Sequence, residues 1–88
     1  MSVLPPVIHE GEYNLFKFWF NNSVQDGVYY HNELFYRLQT VALNHRAQLY
    51  HQACKLAQHD TVIVTTSMDT CSVWISLRSP SAIRLSQN

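Results

Sequence analysis

In the stretch His31–Gln58, HNELFYRLQTVALNHRAQLYHQACKLAQ, the residues Leu34, Leu38, Val41, Ala42, His45, Leu49, Ala53 and Leu56 recur at intervals of three and four. At about 100° per residue that spacing lines up one apolar stripe, which predicts a single helix over the whole stretch. Glu33, Arg37, Thr40, Asn44, Gln48, His51 and Lys55 gather on a polar arc. A third line, Tyr36, Leu43, Ala47, Tyr50, Cys54 and Ala57, falls roughly opposite the first and is more apolar than the wet side of a surface helix. Asn32 suits the N-cap, and Glu33 places negative charge near the positive end of the helix dipole.

Such a helix would run roughly 40 Å at 1.5 Å per residue, longer than strands of about 17 to 25 Å could cover. Terminal segments folding over the excess would be one remedy, with the Tyr36 and Tyr50 hydroxyls in water. The other is a second copy of the chain, and it makes Tyr36, Leu43, Ala47, Tyr50 and Cys54 the expected dimer interface.

Outward from the helix, strands are expected on both sides. Glu12–Phe20, EYNLFKFWF, is aromatic and free of Gly and Pro, with Phe16, Phe18 and Phe20 on one side and Leu15, Lys17 and Trp19 on the other. Residues 21–27 are dense in turn formers, after which Val28–Tyr30 reads either as a short returning strand or equally as a lead-in to the helix. Beyond Gln58, Thr61–Ser67 is β-branched nearly throughout. Met68–Thr70 makes a turn, and Cys71–Arg78 alternates with Trp74 as the exception. The order strand, short strand, long helix, strand, strand gives an α+β fold in which one long helix packs on a small, mostly antiparallel sheet. The 88 residues form one domain, with residues 1–11 as an extended arm containing Pro5 and Pro6, and residues 79–88 as a partly mobile tail.

Six basic and six acidic side chains balance, so no electrostatic case exists for nucleic acid or anionic lipid. Met1–Glu12 lacks the basic start and apolar run of a signal peptide, and no run approaches the roughly 20 apolar residues of a membrane span. Cys54 and Cys71 form neither a disulfide framework nor a CxxC, which points to reduced thiols and a cytoplasmic protein.

Catalytic and metal chemistry lack parts. His45 and His51 lie about 240° apart around a helix, and His51 with Cys54 supplies only two ligands, so no metal site and no cofactor are expected. The carboxylates Glu10, Glu12, Asp26, Glu33, Asp60 and Asp69 form no pair on one rigid element, and there is no nucleophile elbow or phosphate loop. His45 falls mid-stripe, where a buried imidazole needs a hydrogen-bond partner. The expected function is a small non-enzymatic interaction or regulatory module acting as a homodimer, open to a protein partner. The alternative is a dimeric protein, an enzyme among the options, with a small-ligand pocket between helix and sheet near His45 and Trp74.

Overall fold

The computed structural model describes residues 4–9, 11–20 and 22–82. Its strands are β1 (Val7–His9), β2 (Leu15–Phe20), β3 (Ser23–Tyr30), β4 (Glu33–Ala42), β5 (Val62–Thr66) and β6 (Thr70–Ser76). The helix α1 (Arg46–Leu56) follows β4 through a 3-10 turn at Leu43–His45. All six strands form one sheet in the order β1-β5-β6-β4-β3-β2, with β1 parallel to β5 and every other neighbour antiparallel. The long helix on a small, mostly antiparallel sheet is therefore wrong: among the described residues the fold is a six-stranded mixed sheet with the short helix α1 packed on it.

The first half of the expected helix is β4, and two local features explain the misreading. His31 (φ 50°) and Asn32 (φ 64°) both occupy the left-handed region and turn the chain between the paired residues Tyr30 and Glu33. Asn tolerates that conformation as readily as it caps a helix. The second feature is a bulge between Arg37 and Gln39. Tyr36 pairs with Ile75 and Val41 with Cys71, so two residues five apart in β4 face the same way. The extra residue puts the two halves of the strand out of phase. A bulged strand thereby yields apolar spacings of three and four, and counting periods mistakes it for a helix.

From Arg46 onward the helix is real. Leu49 and Ala53 are buried against Val62 and Val64 of β5 and Cys71, Val73 and Ile75 of β6, with Tyr50 and Leu56 packed beside them. β4 and β5 are both antiparallel to β6 and hence parallel to each other, which requires a crossover connection, supplied here by α1. β6 lies at the centre with Cys71–Ser76 buried throughout. Trp74 breaks its expected polar alternation because the second face of the sheet is covered as well.

That second face holds Ile8, Val28, Phe35, Ile63 and Trp74, with Tyr13 and Tyr30 packed on them. It is covered because the sheet curls. From His9 to Leu15 six residue steps reach about 20 to 22 Å, whereas five intervals of about 4.8 Å would separate the edges of a flat six-stranded sheet by about 24 Å. Leu15 of β2 and Thr65 of β5, four strands apart, accordingly line one cleft.

The turn expected over residues 21–27 is overturned from Ser23 onward, because Ser23 already pairs with Phe20 and begins β3; Asn21 lies outside the described residues. Asp26 and Gly27 lie within β3, opposite Lys17 and Phe16. The arm joins the sheet through β1: Val64 N donates to Pro6 O, and the Tyr50 hydroxyl to Pro5 O. At the other end Ser79 and Ala82 are buried, and Asp60 accepts hydrogen bonds from Ser81 N and Oγ. The start of the segment expected to be mobile is thus docked, and its remainder from residue 83, like Met1–Val3 and Glu10, lies outside the described residues.

Candidate functional site

β2 ends the sheet, so among the described residues no strand lies along the outer side of its backbone. Phe20 and Ser23 close a two-residue hairpin, and such a closing pair exchanges both backbone hydrogen bonds. By alternation, Phe18–Gln25 and Phe16–Gly27 bond inward, leaving the amides and carbonyls of Leu15, Lys17 and Trp19 aimed outward.

Side chains on both faces of this edge are aromatic and incompletely covered. On the α1 side, Phe16, Phe18, Phe20 and Tyr36 run in a row with successive centroids 6.0, 6.0 and 5.0 Å apart, and Phe16 stacks on Tyr29 at 5.1 Å. The helix covers β5 and β6 but not this row, whose phenylalanines are only half-buried. Gly27 makes the row possible: a Cβ there would stand 2.9 Å from Phe16 Cζ and from Phe18 Cδ1 and Cε1. Phe16, directly opposite, supplies the cover that a strand glycine lacks. On the other face Trp19 is 69% exposed and Leu15 55%. An open, apolar edge of this kind is a template for another strand.

Charge at the edge is concentrated on Lys17, Asp26 and Arg37. The Lys17 ammonium and Arg37 Nη1 (2.9 Å) both donate to the Asp26 carboxylate, and the Arg37 guanidinium carbon lies 4.7 Å over the Trp74 ring. The hydrogen bond from Lys17, together with the charge of Arg37, holds the Asp26 carboxyl below the usual range against the opposing effect of partial burial. Trp74, fully buried, donates from Nε1 to Thr65 Oγ1 at 2.8 Å.

The residues expected to form a site are dispersed. His45 is exposed at the end of the 3-10 turn, its Nδ1 3.0 Å from Gln48 Oε1, and is not the buried stripe residue expected. Trp74 lies on the sheet face away from α1, so no pocket between helix and sheet joins the two. Of the expected interface, Tyr36 belongs to β4 and Leu43 to the 3-10 turn, while Ala47, Tyr50 and Cys54 belong to α1. Tyr36, Leu43 and Tyr50 are partly buried against the chain's own core, and Ala47 is exposed. These five residues form no continuous helical line. What spacing missed is Phe18, Trp19 and Arg37: the signal was LFKFWF itself, aromatic in both phases of its alternation, with Gly27 in the next strand to receive the rings.

Comparison with protein-family models, with curated proteins and with solved structures returned no match. Among the described residues, no helix is long and apolar enough to cross a membrane, and no three His, Cys, Asp or Glu side chains converge as metal ligands.

Proposed function

We propose that this chain is a non-enzymatic interaction module of the cytoplasm that acts as a homodimer, joined along β2 rather than along the helix. The observation that carries the reading is the open edge of β2, with backbone groups of Leu15, Lys17 and Trp19 free of strand partners among the described residues and aromatic side chains incompletely covered on both faces. Two-fold pairing keeps like faces together and five residues matched in two registers, centred on Phe18 or on Lys17. Centring on Lys17 sets two ammonium groups opposite each other, which is destabilising. Centring on Phe18 sets Phe18 against Phe18, Phe16 against Phe20, and Lys17 against Trp19 of the second copy, a row of aromatic and cation–π pairs. The free thiols of Cys54 and Cys71 support a reducing compartment.

Sedimentation at micromolar concentration tests this. The wild-type chain is expected as a dimer, Phe18→Lys as a folded monomer, and Ala47→Asp, on the exposed side of α1, as a dimer still. A 10.2 kDa species for the wild type at every concentration, or a monomer produced by Ala47→Asp alone, would reject the edge interface.

A further inference from the structure

The curled face carries a second feature that edge pairing does not use. A cleft of about 200 Å³ lies between Arg37 and the hydroxyls of Thr40, Thr65 and Ser72, with Tyr13 and Leu15 on its outer wall. Its polar groups are mostly donors with spare hydrogens. Thr65 Oγ1 accepts from Trp74 Nε1, which leaves its own O–H to give. Thr40 and Ser72 share one hydrogen bond of 2.7 Å, so one of their two hydroxyl hydrogens remains. Arg37 uses Nη1 on Asp26, while its Nε is buried and has no partner among the described residues. The Nε side of a guanidinium is a two-pronged donor edge that matches the two oxygens of a carboxylate.

We infer that this cleft binds a small hydroxylated carboxylate, such as a short hydroxy acid, with its carboxylate on the Nε edge of Arg37 and its oxygens taking the spare hydroxyl hydrogens. Charge agrees: Lys17 and Arg37 face the single carboxylate of Asp26, so the group carries one positive charge in excess. Size agrees as well, since a cleft of about 200 Å³ lies below the roughly 300 to 1,000 Å³ of pockets for drug-sized ligands and suits a ligand of a few heavy atoms. Leu15, on the outer wall, is 55% exposed, and because the Arg37 Nε is buried, binding requires the cleft to open far enough for an oxygen to reach it.

The test is an NMR titration of the full chain with D-glycerate, a hydroxylated monocarboxylate, following the Arg37 Nε–H resonance. Inorganic phosphate, glycerol and sodium chloride serve as comparison probes. Glycerate is expected to shift that resonance saturably at millimolar concentration, with glycerol and chloride without effect and phosphate weaker. Thr40→Val together with Ser72→Ala removes the hydroxyl pair and its spare hydrogen, and should weaken glycerate several-fold while the spectrum stays folded. Arg37→Lys, which keeps the charge but loses the planar fork, should weaken it about tenfold or more. An Arg37 Nε–H that does not move, one that moves equally with chloride, or equal binding by phosphate would each overturn the assignment. So would unchanged affinity in the folded Thr40→Val, Ser72→Ala double variant, which is decisive even if Arg37→Lys fails to fold.

Discussion

Asp26 shows how one carboxylate ties three strands together. It lies on β3, takes a hydrogen bond from Lys17 on β2 and another from Arg37 on β4, and its folded pKa is depressed below the ordinary value of 3.8. A depressed folded pKa means that folding favours the ionised form, so the stabilisation is complete above the unfolded value and disappears as pH falls through the folded one. Urea unfolding followed from about pH 6 to about pH 2.5 should therefore show the wild type losing stability below about pH 4, with a shallower loss in Asp26→Asn. Equal acid limbs would assign the ion pairs no part in it. At Gly27 two effects compete: Ala in place of Gly ordinarily gains up to about 1 kcal/mol in a strand, but a Cβ 2.9 Å from two rings forces them outward. Displacing packed aromatics costs about 1 to 3 kcal/mol, so Gly27→Ala should lower the urea midpoint rather than raise it.

The helix and strand assignments divide at the 3-10 turn, and two leucines report the division. Leu49 is buried between α1 and the sheet, so Leu49→Ala should cost about 2 to 5 kcal/mol. Leu38, the extra residue of the β4 bulge, is 37% exposed, and Leu38→Ala should cost well under that. A long helix with both leucines on one stripe would make the two losses equal, so the pair measured by chemical denaturation separates the folds. The same elements mark what could be read from the chain. β5 and β6 were legible because β-branched runs flank a short turn, and the core of β2 because its alternation is unbroken. β4 was not, since the bulge imitates helical spacing and Asn32 suits a cap and a turn alike. The β2 edge was legible as a strand but not as an edge: which strand lies outermost depends on pairings such as Val7 with Val64, far apart in the chain, that no local pattern encodes.

For the whole molecule the two tryptophans are natural reporters, one at the centre and one at the margin. Trp74 is fully buried and Trp19 is 69% exposed. Acrylamide quenching should resolve a shielded and an accessible emitter. The accessible fraction should shrink as protein concentration rises through the association range, and Trp19→Phe should leave only the shielded one. An accessible fraction that stays constant with concentration would mean that the β2 edge remains open to water. The two margins of the sheet also differ in kind. β1, at the opposite edge, has only three residues and follows directly on Pro5 and Pro6, which have no amide hydrogen to offer an incoming strand. A sheet with one adhesive margin and one blunt margin can join once, like to like, and then has nothing left to extend from. On the proposed β2 pairing, growth would therefore stop at the pair, because the two prolines beside β1 blunt the opposite margin against head-to-tail stacking into a fibre.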